Sequence, residues 1–183
     1  MSYLAIGRES KRVLYGAKRG TPHLVRVHPI IVRESDDWNM EDEMKVFLSH
    51  SSRDKALVRE IRSQLPDRVK TWLDEDELLV GQDLKISIKS AIQEDADFVV
   101  IFLGKEAVGS EWVKRELEWS LEREKNIGRV FVLPVLLDDV WDMVEPAEFR
   151  NRLYIKCLDQ SEDAVRGVAR KLSDNIFSWL SRH

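Results

Sequence analysis

The chain has 183 residues but a single cysteine, Cys157. One cysteine excludes an internal disulfide and suits a reducing cytosol. No apolar run reaches the roughly 18 residues that a membrane-spanning helix needs. The N-terminus also lacks the basic start and apolar core of a secretory signal. We therefore expect a cytoplasmic protein with no membrane partner.

Several motifs of known chemistry are missing as well. The chain has neither the G-x-G-x-x-G fingerprint of dinucleotide-binding folds nor the phosphate-binding G-x-x-x-x-G-K-[ST] loop. It has no G-x-S-x-G nucleophile elbow, and four scattered histidines with one cysteine do not build a zinc site. The formal net charge of -4 argues against general nucleic-acid binding. We expect neither a metal nor a bound cofactor.

The N-terminal residues differ from the rest of the chain in charge. Residues 1–35 hold seven basic and two acidic side chains, a net charge of +5. Two β-branched runs, 24–27 and 30–32, predict a small β-hairpin; a partly ordered leader is an equal alternative, and a basic patch for acidic ligands is a weaker third. An acidic stretch follows. We expect a short β-rich extension with an acidic linker, residues 1–43, and a main domain, residues 44–183.

In the main domain, apolar strands alternate with amphipathic helices. The strands are predicted at 44–50, 69–73, 98–103, 130–137 and 153–156. The run 98–103 is apolar throughout, which is typical of a central parallel strand covered on both faces. Alternating strands and helices predict a parallel sheet with right-handed crossovers. We expect an α/β domain of the flavodoxin-like kind, with an open five-stranded parallel sheet and helices on both faces.

Local signals mark the ends of these elements. Ser51 and Asp54 match a capping box, [ST]-x-x-[DE], for a first helix that runs to about residue 65. Asp83 and Ser110 are the predicted N-caps of the next two helices, the second of which runs to about residue 125. Pro134 predicts a bulge or an outer end in the fourth strand.

Aromatic and polar side chains gather where the predicted strands end. Because ligands bind outside the carboxyl ends of the strands in open α/β sheets, we expect these side chains to form one rim. The rim residues are Phe47, Ser49, His50, Trp72, Asp74, Ser110, Trp112 and Glu116. Trp112 and Glu116 lie four residues apart and share one helical face.

Glu116 has two interpretations. Its helix is rich in charge, so composition alone favours an ordinary solvated acid. A carboxylate beside an aromatic surface and hydroxyls also suits a ribosylated aromatic substrate, because cleaving the bond from ribose to a cationic base passes through an oxocarbenium-like state. Such a carboxylate can orient the ribose hydroxyls and stabilise the developing positive charge. The residues alone permit this chemistry without favouring it.

Three segments in order resemble the motif regions of a Toll/interleukin-1 receptor (TIR) domain. They are 46–54, 72–81 and 110–117, and the resemblance covers the chain from residue 44 to its C-terminus. It implies the TIR fold and, since members with the third-motif glutamate are often NAD⁺-cleaving enzymes, it implies Glu116 as the catalytic residue. NAD⁺ would be a substrate and not a cofactor. The substrate-binding residues that the resemblance implies are Phe47, Ser49, His50, Trp72, Asp74, Gly81, Ser110 and Trp112.

The resemblance also implies partners. Leu78, Leu79 and Val80 match the loop through which TIR domains contact one another, and an apolar loop tip of this kind suggests an interface. The residues 50–53 depart from the aromatic-Arg-Gly sequence of many eukaryotic members, and the compact loops look more bacterial than those of an animal receptor. One expectation is an NAD⁺ glycohydrolase or ADP-ribosyl cyclase that signals to a separate effector protein in bacterial antiphage defence.

A second function class stays open. The chain would then be a non-catalytic TIR assembly module, or a bacterial TIR mimic that interferes with host innate signalling. The presence of Glu116 together with Trp112 favours the enzyme.

Overall fold

The computed structural model of the protein describes residues 43–72 and 83–180, with the backbone alone for Leu180. The predicted β-rich extension lies outside these residues. The extension and the domain boundary after residue 43 therefore stay predictions.

The described strands form a single parallel sheet. They are β1 (Met44–Ser49), β2 (Val69–Trp72), β3 (Phe98–Leu103), β4 (Val132–Leu136) and β5 (Ile155–Lys156). Their order in the sheet is β2-β1-β3-β4-β5, which is the flavodoxin-like order. All six side chains of β3 are buried, as its apolar run predicts. The predicted fold class is confirmed.

Helices cover both faces of this sheet. They are α1 (Lys55–Ser63), α2 (Leu84–Ser90), α3 (Lys105–Gly109), α4 (Glu111–Ile127) and α5 (Glu162–Leu180). A π-helical turn, Ala91–Asp95, continues α2, and two 3-10 turns, Trp141–Met143 and Ala147–Asn151, lie between β4 and β5. The helix α3 was not predicted, because a helix of five residues is too short to show an apolar period.

The strand β1 sends alternate side chains to two separate apolar clusters. Val46 and Leu48 pack with α1 and α5 on one face, whereas Phe47 packs with α2 and α4 on the other. Because side chains alternate along a strand, Ser49 lies on the same face as Phe47, toward α4. This alternation decides which helix the end of β1 meets.

Two of the three predicted N-caps are confirmed. The Asp83 carboxylate accepts a hydrogen bond from the Ile86 amide at 3.0 Å, and the Ser110 hydroxyl accepts one from the Val113 amide at 3.3 Å. The capping box at α1 is wrong. The Ser51 hydroxyl donates to the Asp54 carboxylate at 2.6 Å instead, and Asp54 makes no side-chain bond to the helix that it caps.

The expectation for Pro134 is also wrong. Pro134 lies in the middle of β4, in unbroken register with β3. The Leu137 amide donates to the Leu103 carbonyl of β3, so by alternation the Pro134 nitrogen points to the other neighbour, β5. The strand β5 begins only opposite Val135. The missing N–H of proline therefore removes no hydrogen bond from the sheet.

A half-buried carboxylate joins the end of α4 to the start of β4. Glu124 accepts hydrogen bonds from the amides of Phe131 at 2.8 Å and Val132 at 3.0 Å, and it pairs with Arg152 at 2.5 Å. Burial by itself raises the pKa of Glu124, but the hydrogen bonds from Arg152 and the two amides outweigh burial and hold this pKa below its ordinary value. Its contribution to stability is therefore present above the ordinary carboxyl pKa and is lost as the pH falls through the lowered one.

We expect Glu124→Gln to lower the free energy of unfolding by about 1–3 kcal/mol at neutral pH, because it removes the charge that these donors bind. The difference from wild type should shrink as the pH falls below about 4, because the unfolded wild-type chain then takes up a proton at this carboxyl and the folded protein follows at its lowered pKa. Urea unfolding of wild type and variant at neutral pH and below about pH 4 measures the difference in free energy of unfolding under each condition. The control is Glu118→Gln, at an exposed position of the same helix. Equal destabilisation at both pH values would contradict this account.

Candidate active site

Glu116 is buried against the end of β1. Glu116 is 2% exposed, and its Oε2 accepts a hydrogen bond from the Ser49 hydroxyl at 2.5 Å. A carboxylate taken out of water is costly unless it is hydrogen-bonded, so this contact supports its burial. The interpretation of Glu116 as a solvated acid, which composition alone favoured, is wrong.

Packing explains why these two residues meet. Val113 and Leu117 of α4 pack with Phe47 in the apolar cluster on that face of the sheet. Glu116, one position before Leu117, is therefore buried between α4 and the sheet. Ser49 is the last residue of β1, so the carboxylate lies at the carboxyl edge of the sheet, where α/β proteins bind ligands.

A cleft of about 800 Å³ opens next to this pair. Its walls come from the β1–α1 loop, the start of α2 and the segment from α3 to the start of α4. The described residues that line it are His50, Ser51, Ser52, Arg53, Leu84, Lys105, Glu106, Gly109, Ser110 and Trp112. His50 adjoins Ser49, and Trp112 lies one helical turn before Glu116. This volume is in the range of small-molecule sites in proteins.

Three predicted substrate-binding residues lie on the cleft wall. Trp112 is half-buried, and its indole packs edge-to-face on Trp119 with ring centroids 6.3 Å apart, so its orientation is fixed. His50 is buried, and its Nδ1 lies 3.0 Å from the Leu48 carbonyl oxygen. Ser110 caps α4 at the cleft. The structure brings Trp112, His50 and Ser110 together, and their contacts with substrate stay predictions.

Phe47 and Trp72 lie elsewhere. They are opposite one another in β1 and β2 and border a separate cavity of about 20 Å³, which is far too small for a nucleotide. Phe47 precedes Ser49 by two residues, about 7 Å along the strand, which places its ring in the core and not at the edge. The structure does not bring these two aromatic residues to the cleft.

The remaining predicted residues lie outside the part of the chain that the structure describes. They are Asp74, Gly81, Leu78, Leu79 and Val80. Their assigned roles stay predictions.

Two basic residues on the cleft wall were missed by the sequence analysis. Arg53 forms an ion pair with Glu106, another residue of the cleft wall, at 3.0 Å. Because both side chains are largely exposed, this ion pair adds little stability. Lys105 follows β3 almost directly. Both residues come just after strands of a parallel sheet, and that position was a usable signal. Their charge suits an anionic ligand.

Among the described residues, no group of three or more His, Cys, Asp and Glu side chains could hold a metal ion.

Gly104 lies where three of the loops at this edge approach one another closely. A Cβ at this position would lie 3.0 Å from one Asp54 carboxylate oxygen and 3.4 Å from Asp138 Oδ2. Asp138 accepts a hydrogen bond from the Lys105 amide at 2.8 Å, and Asp54 accepts the one from Ser51. The absence of a side chain at Gly104 therefore lets the loops after β1, β3 and β4 close on one another beside the cleft.

We expect Gly104→Ala to destabilise the protein by about 1–3 kcal/mol, because its methyl group overpacks against Asp54. In an Asp54→Ala background the same change should cost clearly less, since the obstructing carboxylate is gone. Urea unfolding of the double-mutant cycle measures this coupling. The control is Gly109→Ala, where a Cβ would meet nothing within 4 Å. Equal costs of Gly104→Ala in both backgrounds would show that Asp54 is not the obstacle.

With the fold and the cleft established, comparison with known proteins gives the family. Residues 46–172, well over half of the chain, match the family profile described as the TIR domain. The chain therefore belongs to the TIR domain family. No curated protein sequence matches the chain. None of the helices in the described residues is long and apolar enough to span a membrane.

Solved structures agree with this assignment. The TIR domain of the Toll-related receptor TRR-2 from Hydra magnipapillata superposes with a TM-score of 0.53 at 16% identity, and the match covers 74% of this chain and 96% of that one. A metazoan TIR-STING receptor from C. gigas, solved in complex with 2′,3′-cGAMP, gives a TM-score of 0.52 at 21% identity. That match covers 68% of this chain and 38% of the receptor chain. At these identities the likeness shows the fold alone.

Proposed function

We propose that this TIR domain cleaves the bond between nicotinamide and ribose in NAD⁺, with Glu116 as the catalytic carboxylate. The observation that carries the proposal is the position of Glu116, buried at the carboxyl edge of the sheet, one helical turn from an aromatic side chain that lines a cleft. By family resemblance, TIR domains that carry this glutamate are often NAD⁺-cleaving enzymes.

The chemistry needs one carboxylate and no general acid. The bond from ribose C1′ to the nicotinamide nitrogen breaks with its electron pair going to nitrogen, so the cationic ring leaves as neutral nicotinamide. The ribose then carries the positive charge as an oxocarbenium-like species. Glu116 stabilises that charge and orients the ribose hydroxyls. Attack by water gives ADP-ribose and a proton, and attack by an atom of the same molecule gives a cyclic product.

The cleft wall offers a group for each part of this substrate. The indole of Trp112 provides a flat apolar surface for an aromatic base. Arg53 and Lys105 supply positive charge for the pyrophosphate, and guanidinium groups bind phosphate oxygens in pairs. His50 and Ser110 supply polar contacts near the ribose. These assignments agree with a substrate that is aromatic, hydroxylated and anionic.

The wider setting is part of the same proposal. Leu78, Leu79 and Val80 would mediate contact between TIR domains and help to complete the site. The protein would work in the cytoplasm, and an ADP-ribose-derived product would reach a separate effector protein in bacterial antiphage defence. The runner-up function is a non-catalytic TIR assembly module or a mimic that disturbs host innate signalling.

We expect Glu116→Gln to slow nicotinamide release from NAD⁺ by at least about 100-fold, because a preorganised charge at the reacting centre is lost. The amide has the size of the carboxylate, and thermal unfolding checks that the variant is folded. Glu118→Gln, two residues along α4 and exposed, should keep the wild-type rate.

The assay should use concentrated protein, so that any self-association can occur. A Glu116→Gln variant as active as wild type would overturn the assignment of the catalytic residue. A wild-type protein that self-associates but releases no nicotinamide would favour the assembly module.

A further inference from the structure

A buried hydrogen bond links the last residue of β1 to the candidate catalytic carboxylate. Ser49 is 1% exposed and Glu116 is 2% exposed, and the Ser49 hydroxyl lies 2.5 Å from Glu116 Oε2. A carboxylate oxygen accepts hydrogen bonds, so the serine hydroxyl is the donor in this contact. Ser49 was predicted to bind substrate, and its hydrogen bond to Glu116 suggests another role.

We propose that Ser49 is a positioning residue that holds the Glu116 carboxylate in its reactive orientation and does not itself bind substrate. This inference rests on the proposed function. The serine hydroxyl has one proton, and the structure directs it to Glu116. Both residues adjoin the cleft wall, since His50 follows Ser49 directly and Trp112 lies one helical turn before Glu116.

The geometry suits a fixed support. Ser49 ends a strand whose backbone is paired with Ile101 of the central strand β3. Glu116 lies on α4, which is capped by Ser110 and packed on the sheet through Leu117. The last torsion of a glutamate side chain is broad and weakly defined by itself. A hydrogen bond from the rigid sheet to Oε2 restricts that torsion where the orientation of the carboxylate matters.

The chain offers a matched control for this hydrogen bond. Ser120, also buried, donates its hydroxyl to the backbone carbonyl of Glu116 at 2.6 Å. It contacts the same residue through the main chain and leaves the carboxylate untouched. Ser49→Ala and Ser120→Ala therefore remove the same atoms from similarly buried sites, and only the first releases the carboxylate.

The test is steady-state NAD⁺ cleavage by the full chain, followed by nicotinamide release. We expect Ser49→Ala to lower kcat by about 10- to 100-fold, because a misplaced catalytic group costs rate at the chemical step. The KM for NAD⁺ should stay within about two-fold of wild type, since no substrate contact is lost. Ser120→Ala should change neither constant, and Ser49→Thr, which keeps the hydroxyl, should retain most of the rate.

A second measurement observes the carboxylate directly and does not depend on activity. The ¹³C NMR signal of the Glu116 side-chain carboxyl should shift in Ser49→Ala and stay in place in Ser120→Ala. An unchanged signal in Ser49→Ala would overturn the inference, as would a raised KM with normal kcat or a variant faster than wild type. If wild type and Ser49→Ala cleave NAD⁺ equally, the inference fails while the proposed function stands. A wild type that releases no nicotinamide overturns both.

Discussion

A carboxylate that is buried at the carboxyl edge of a parallel sheet has to be hydrogen-bonded, and the candidate site is organised around that constraint. The Ser49 hydroxyl meets the Glu116 carboxylate at 2.5 Å, and both residues are almost fully buried. Removing a charge from water costs several kcal/mol if it is left unpaired, so a sequence that places glutamate here must also place a donor. The donor comes from the strand and the acceptor from the helix. This single contact therefore joins the two layers of the fold at the point where chemistry is expected.

The rest of the edge is built to leave space beside that contact. Gly104 lacks a side chain, so the Asp54 and Asp138 carboxylates approach its backbone and hold the loops after β1 and β4 against the end of β3. The indole of Trp112 is fixed on Trp119. These contacts set the walls of a cleft of about 800 Å³ without filling it. The C-terminal end of α4 is hydrogen-bonded to the start of β4 through Glu124, so the helix that carries Glu116 has contacts at both ends.

The features that sequence reasoning predicted well are those set by local physics. The strand β3 follows from an uninterrupted apolar run, and Asp83 and Ser110 follow from the hydrogen bonds that helix N-termini need. The parallel sheet follows from alternating strands and helices. The motif segments around Glu116 and Trp112 were enough to indicate the family.

The features that sequence reasoning missed depend on the tertiary arrangement. Composition made Glu116 a solvated acid, because its burial is decided by packing against β1 and not by its neighbours in the chain. Phe47 was placed at the rim, although two residues of strand separate its ring from the edge. Ser51 matched a capping box, yet its hydroxyl donates a hydrogen bond to the Asp54 carboxylate. A short local pattern does not determine whether a hydroxyl accepts from a backbone amide or donates to a nearby carboxylate.

The central claim is that this TIR domain breaks the bond between nicotinamide and ribose. Mass spectrometry of the products after incubation of concentrated protein with NAD⁺ tests it most directly. The account predicts free nicotinamide together with ADP-ribose, or with a cyclic product that is lighter than ADP-ribose by one water. Cleavage at the pyrophosphate, which would give nicotinamide mononucleotide and AMP, would contradict it, as would NAD⁺ that remains intact.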